Sequence, residues 1–351
     1  WPVPVNHCRQ NGANTGKTDP QRVIDVVMAL APMYGGINLE DIAAPACFEI
    51  EDRLTEMLDI PVFHDDQWGT AVITVAGLMN YAHLCGRKLS DLRVVINGAG
   101  AAGIRIADMC KAAGVKDLMM CDTKGVIHKG RTDLNSHKLR HAVETPLRTL
   151  SEAMRGAHVF VGVSAADSVK ADDVRSMADY PAIFAMANPD PEIRPEIVAD
   201  VLGGKPYVMA TGRSDYPNQT NNVLGFPYLF RGALDAHAKT INTAMKVAAS
   251  QALAMLAREP VPAEVQAIYP TEKLVFGNGY IIPKPFDRRL FVDVSFAVAK
   301  AAVTRMATIC PPGDPAAPDG TDAKYQAARR KRLQSNAGNG AVASMLVAVA
   351  P

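Results

Sequence analysis

The chain has no CxxC pair, and its six cysteines (Cys8, Cys47, Cys85, Cys110, Cys121 and Cys310) are scattered without close histidine partners. That spacing gives neither a disulfide framework nor a thiolate zinc site. Cys85, Cys110 and Cys121 fall in apolar helix or strand patterns, so buried free thiols and a reducing compartment are expected. Charge of one sign is missing as well. With 37 basic and 36 acidic residues the net charge is +1, and no global field draws the chain toward nucleic acid or an anionic membrane. The one basic run, Arg329-Arg330-Lys331-Arg332, lies among small residues and prolines and reads as a solvated segment. No signal peptide and no internal repeat are expected from the pattern, and no apolar run is long enough to cross a bilayer, the stretch 341–350 being too short. A cytoplasmic protein with neither nucleic-acid nor membrane partners is expected.

What is present is an ordinary globular composition, 48% apolar and 21% charged, in 351 residues. That length can bury a large core and usually divides into two domains. Two acid pairs stand out, Glu40-Asp41 and Asp65-Asp66, each at the end of an apolar run that reads as a buried strand. Asp66 lies 25 residues after Asp41, room for one helix between two parallel strands. Taken singly, such acids are more often helix caps or solvated turn residues. Brought side by side, two strand-end pairs make an oxygen-rich pocket suited to a hard divalent cation such as Mg²⁺ or Mn²⁺.

Along the chain, Asp19 and Pro20 read as the N-cap and first residue of a helix whose apolar face is Val23, Val26, Val27 and Leu30, stopped by Pro32. Ile37 and Leu39 predict a strand, Cys47 to Leu58 a helix, Ile60 to Phe63 a second strand, and Thr70 to Leu84 a long apolar helix. From Leu92 the rhythm is strand, helix, strand: Val94 to Ile96, Ala101 to Ala113, Leu118 to Met120. Further strands follow at Val159 to Val161, Ile183 to Ala185 and Tyr207 to Met209. This alternation predicts an α/β fold with a doubly wound, Rossmann-like parallel sheet. Helices are expected over Gly232 to Leu256 and Phe291 to Met306, and a poorly ordered tail over 308–351.

Gly98-Ala99-Gly100-Ala101-Ala102-Gly103 follows one of these strands and opens a helix. The glycines allow a tight turn, close backbone approach to a pyrophosphate and close helix packing, while the helix N-terminus offers N–H groups to phosphate. A glycine turn that binds nothing is the weaker reading in that context. Asp122, at the end of the next strand, could accept from a ribose 2′-hydroxyl and favour NAD. Lys124, Lys129 and Arg131 are close enough in sequence to favour a 2′-phosphate and NADP. Two polar strings follow later strands, Ala187 to Glu192 and Thr211 to Asn222. Turn chemistry accounts for Asp190 and Asn218. Asn188 and Asn222, neutral amides where open parallel sheets bind ligands, are candidates for holding a carboxylate or a carboxamide.

These residues resemble the malic enzymes, specifically the bacterial NADP-dependent type in which a phosphotransacetylase-like domain often follows. The resemblance runs from about Asn14 to Arg305. It is carried by the octapeptide at 35–42, Phe-His-Asp-Asp-Gln at 63–67, the glycine motif at 98–103 and Cys-Asp-Thr-Lys-Gly at 121–125. The strings at 187–193, 211–219 and 221–223 and Tyr-Ile-Ile-Pro-Lys-Pro-Phe-Asp at 280–287 complete it. The resemblance implies oxidative decarboxylation of (S)-malate to pyruvate and CO₂ with NADP, or NAD, as hydride acceptor and Mg²⁺ or Mn²⁺ as Lewis acid. It implies Glu40, Asp41 and Asp66 as metal ligands and Asp65 as the acid that pairs with the catalytic lysine. Asn188 and Asn222 would line the malate and nicotinamide pocket. Gly98, Gly100, Ala101, Ala102, Gly103, Asp122, Lys124 and Asn188 would contact the cofactor. A homo-oligomer acting on a small-molecule substrate is expected.

The departures are specific. The family's catalytic lysine, tyrosine and substrate-clamping arginine lie upstream of the first helix. Here Trp1–Ala13 matches nothing, and Lys17 reads as solvated. Trp68 replaces the usual histidine after Gln67. The expected division is an unmatched segment at 1–13, the remnant of an N-terminal α/β substrate and metal domain at 14–66, a nucleotide-binding domain with C-terminal helices at 67–307, and the tail at 308–351. Truncation at the N-terminus would leave a catalytically impaired fragment that binds dinucleotide and metal.

Overall fold

The structure, a computed structural model, describes residues 19–309. The expectations for Trp1–Ala13, Lys17, Cys8, Cys310 and the chain beyond Ile309 lie outside the described residues. In chain order the elements are α1 (Pro20–Leu30), β1 (Ile37–Leu39), α2 (Ala46–Met57), β2 (Val62–His64), α3 (Asp65–Leu84), β3 (Arg93–Asn97), α4 (Ala101–Ala112), β4 (Asp117–Asp122) and β5 (Gly125–Val126). There follow α5 (Ser136–Leu139), α6 (Leu150–Met154), β6 (Val159–Gly162), α7 (Ala171–Arg175), β7 (Ala182–Ala185), α8 (Pro195–Leu202) and β8 (Val208–Thr211). The last helices are α9 (Phe226–Asp235), α10 (Thr243–Arg258), α11 (Ala263–Ile268) and α12 (Arg289–Ile309).

The contacts gather into two compact units. Of the described residues, the first takes in 19–65, Val223–Ala252 and 286–309; the second comprises Asp66–Asn222 and Leu253–Pro285. This differs from the linear division of 14–66 followed by 67–307. The reason is packing within the first unit: the Phe230 ring of α9 meets the Phe63 ring of β2 edge-on at 5.9 Å, Lys239 lies 2.7 Å from Asp59, and α12 packs so closely on α9 that a Cβ on Gly232 would stand 2.5 Å from the Ser295 carbonyl oxygen.

In the first unit, Asp19 caps α1 by accepting from the N–H groups of Gln21 and Arg22, with Pro20 at the first helical position. The buried face, Val23, Ile24 and Val27, packs with Ile50 and Leu54 of α2 and with Leu39 and Val62. β1 and β2 pair in parallel, Ile37 opposite Val62 and Leu39 opposite His64. The helix expected from Thr70 begins instead at Asp65, so Asp65 and Asp66 occupy its first turn. Negative side chains are favoured there by the helix dipole, so acids at a strand end also serve to start the next helix. The mostly helical region expected over Gly232 to Leu256 is formed by α9 and α10, separated by a turn in which His237 takes a left-handed φ of 51°.

The second unit holds a six-stranded sheet of order β5-β4-β3-β6-β7-β8, parallel except for β5. β6 and β7 are buried along their whole length, as befits a parallel sheet covered on both faces. Val95, Phe160, Ile183 and Ala185 of the sheet share one core with Met154, Val174, Ile193 and Val198. Strand order reverses between β3 and β6, where a doubly wound sheet binds its ligand. Among the described cysteines, Cys110 and Cys121 are buried free thiols, Cys47 is buried, and Cys85 is half-buried. Burial pushes the Cys110 and Cys121 thiols up to about 12, which keeps them unreactive. Among the described residues no helix is long and apolar enough to cross a membrane.

Candidate active site

The register of β1 and β2 places the residues after Leu39 and after His64 at the same end of the strand pair. One carboxylate oxygen from each of Glu40, Asp41 and Asp66 lies within 4.8 Å of the others. Adjacent residues of an extended chain point to opposite sides. At Asp41 the backbone enters the left-handed region, φ 57°, and breaks that alternation, so Glu40 and Asp41 reach the same point. Aspartate is among the few residues that adopt this conformation readily. The Asn38 amide donates to Glu40 Oε2 at 3.2 Å and holds it in place. Three hard anionic oxygens so close fit a hard divalent cation and suit neither a soft nor a nitrogen-seeking metal. Asp65 is buried, 5% exposed, beside them in the chain.

Residues one turn apart on a helix share a face, so Asp66, Thr70 and Thr74 are aligned along α3. The Thr70 hydroxyl donates to Asn222 Oδ1 at 3.2 Å, and the Thr74 hydroxyl lies 3.7 Å from the sulfur of Met186. Asn222 is thereby held one turn from Asp66. Asn188 stands exposed two residues beyond Met186, at the exit of β7. Asn218 is structural as expected: its amide donates to the carbonyls of Met209 and Asn278 and accepts from Ile281 N–H. Asp190 lies on the surface 3.6 Å from Arg213.

At the switch point, Gly98 has φ 119°, and a Cβ there would lie 2.5 Å from the Val163 carbonyl oxygen, so the turn admits no side chain. Gly100 differs. A Cβ on it would meet no protein atom within 4 Å, so the fold leaves an open cradle in front of that residue. No side chain caps the helix at Gly100, which leaves the N–H groups of Ala101, Ala102 and Gly103 at the head of α4 for an anion.

Asp122 is enclosed by cations. Arg131 donates to both its oxygens, at 2.7 and 3.1 Å, Lys138 Nζ lies 2.7 Å from Oδ2, and Lys124 N–H donates at 3.0 Å. Burial pushes this carboxyl up, but the bonds from Arg131 and Lys138 outweigh it and leave it at about 2. The Lys124 ammonium instead pairs with Asp133 at 2.8 Å. Lys138 has no motif to mark it in the sequence; it arrives through α5, 16 residues after Asp122. Glu192 ends the polar string that follows β7. It is fully buried and accepts from the N–H groups of Ser164, at 2.8 Å, and Ala187, at 3.0 Å, joining the exits of β6 and β7.

An open parallel sheet with a glycine cradle at its switch point defines a dinucleotide-binding protein of the Rossmann class. Residues 68–275 match the family described as "Malic enzyme, NAD binding domain", and the chain belongs to the malic enzyme family. It is 58% identical over 283 residues to the NADP-dependent malic enzyme of Rhizobium meliloti, covering 80% of this chain and 37% of that one. Against the NADP-dependent malic enzyme of Halomonas elongata the identity is 53% over 286 residues, covering 81% and 67%. The crystal structure of malic enzyme from Pyrococcus horikoshii superposes with a TM-score of 0.77 at 33% identity, covering 93% of this chain and 72% of that one. The chain thus spans little more than a third of the length of the Rhizobium protein.

Proposed function

We propose that this chain takes part in the divalent-cation-dependent oxidative decarboxylation of (S)-malate to pyruvate and CO₂, with NADP as the hydride acceptor. The observation that carries this reading is the convergence of Glu40, Asp41 and Asp66. These three would hold Mg²⁺ or Mn²⁺, which when bound would supply Lewis acidity to the substrate. The Gly98–Gly103 turn and the head of α4 would hold the pyrophosphate through backbone N–H groups. Asn222, fixed by Thr70, and Asn188 offer amides that orient a carboxylate or the nicotinamide carboxamide without adding charge. Asp65, buried at the start of α3, is suited to pair with a catalytic cation. NADP is favoured because Asp122 is already engaged by Arg131 and Lys138, which makes this strand end cationic toward a 2′-phosphate.

The test is malate-dependent reduction of NADP⁺ and NAD⁺, with and without Mn²⁺, beside a direct Mn²⁺ titration. Asp66→Asn is expected to weaken Mn²⁺ binding by more than about tenfold with the fold retained, since a charged ligand is lost from a hard-cation site. An unchanged titration would remove Asp66 from the site. NADP⁺ and Mn²⁺ binding without malate oxidation would favour a binding fragment over a complete enzyme.

A further inference from the structure

We propose that Arg105 is a positioning residue that fixes the first turn of α3, and with it Asp66, against the nucleotide-binding helix α4. The proposal rests on the reading of Asp66 as a cation ligand. Arg105 is in the second turn of α4, five residues beyond Gly100, and is 7% exposed. Its Nε donates to Gln67 Oε1 at 2.8 Å, and its guanidinium carbon lies 4.5 Å from the centroid of the Trp68 ring. A further nitrogen, Nη1, is 3.4 Å from Asp108 Oδ2 on the same helix, which sets the guanidinium's orientation. Gln67 and Trp68 are the two residues that directly follow Asp66, and both are buried.

One planar cation therefore grips α3 by two adjacent side chains, an amide through a hydrogen bond and an indole through its face. An ammonium, a point charge with no plane to stack, cannot make both contacts from one position. The mechanical need follows from the helix itself. A carboxylate roughly 6 Å from the helix axis moves about 1 Å for each ~10° that the turn rotates. Metal–ligand distances tolerate only about 0.2 Å. Contacts that stop α3 from rotating at Gln67 and Trp68 are thus worth having next to Asp66, and partners of this kind beyond the ligands typically change metal affinity by about 10–100-fold.

The experiment is a Mn²⁺ titration, followed by the electron paramagnetic resonance of free Mn²⁺, on the full chain and on Arg105→Met, Arg105→Lys and Trp68→His, with NADP⁺ affinity measured on each. Arg105→Met is expected to raise the Mn²⁺ dissociation constant about tenfold or more while NADP⁺ affinity stays within about threefold, because the glycine cradle binds through backbone. Arg105→Lys should recover little, and Trp68→His, which keeps the Gln67 bond, should lose less. Unchanged Mn²⁺ binding in Arg105→Met overturns the proposal, as does full recovery by lysine. If Arg105→Met does not fold, Trp68→His decides: a weaker Mn²⁺ complex supports the positioning role and an unaltered one rejects it. A wild-type chain that takes up no Mn²⁺ would overturn the cation site and this proposal together, whereas normal wild-type uptake with equal uptake in the variants overturns the positioning role alone.

Discussion

Two carboxylates at the exits of the same sheet are held in opposite ways. Asp122, after β4, faces Arg131 and Lys138, and its carboxyl is pulled down to about 2 although burial alone would raise it. Glu192, after β7, is fully buried and takes the N–H groups of Ser164 and Ala187; burial pushes its carboxyl up, and these bonds offset part of that. Cations on long side chains can exchange one anion for another, so the Asp122 end can admit a ligand phosphate without rebuilding the fold. Backbone N–H groups cannot move without moving the loops they belong to. Glu192 is therefore a joint, and Asp122, on the proposed reading, belongs to the surface that would meet the cofactor's ribose.

The largest effect should come from breaking the joint. Glu192→Ala leaves two buried N–H groups without their acceptor, and the expected destabilisation is about 2–4 kcal/mol. Glu192→Gln keeps the shape and one carbonyl oxygen and should lose less, about 1 kcal/mol. Denaturant unfolding of both variants checks this. A loss below about 0.5 kcal/mol for alanine would mean that the loops hold themselves. The tightness argues otherwise: a Cβ on Gly162 would stand 2.3 Å from the Glu192 carboxyl carbon.

How far these features can be read in the sequence depends on how local they are. The glycine turn is contiguous, so Gly98 to Gly103 announces itself, and the strand–helix rhythm places it correctly on the sheet. The acid cluster needs two segments, but one strand register joins them, so spacing between Asp41 and Asp66 was enough to suggest a pocket. The apolar pattern marks α3 only from Thr70, whereas the helix begins at Asp65, because Asp65 and Asp66 carry no apolar periodicity and suit its first turn through the helix dipole. Arg105 on Gln67, Lys138 on Asp122 and Thr70 on Asn222 join residues 38, 16 and 152 apart. No periodicity or motif encodes such pairs; they exist once the sheet is wound. The same holds for the return of α9 and α12 to the first unit, which a linear division of the chain does not anticipate.

A smaller effect should sharpen the selective end. Lys138→Ala removes one cation from the Asp122 cluster while Arg131 keeps the carboxylate engaged. NADP⁺ affinity is expected to fall about tenfold, ~1.4 kcal/mol, with NAD⁺ affinity unchanged, since NAD⁺ has no 2′-phosphate. Removing the anion instead, Asp122→Asn, leaves both cations to the ligand and should shift preference further toward NADP⁺. Equal losses for the two cofactors in Lys138→Ala would show that the cluster serves the fold and does not read the ribose. Fluorescence titrations with each cofactor give the answer.

The smallest effect, and the one that bears most directly on the contrast, is the response to pH. Asp122 has its folded pKa below the unfolded one, so its stabilisation is complete above the ordinary aspartate range and is lost as pH falls toward about 2. Glu192 has its folded pKa raised, so its contribution is fullest below the ordinary glutamate value and is lost as pH rises through the folded pKa. Subtracting the stability of Asp122→Asn from that of the wild type should give a difference that grows with pH over the acid range. The same subtraction with Glu192→Gln should give one that declines as pH rises above the glutamate range. Chemical denaturation at a series of pH values reads both curves. Slopes of the same sign would mean that the two carboxylates are held alike, and the division between a selecting surface and a fixed joint would fail.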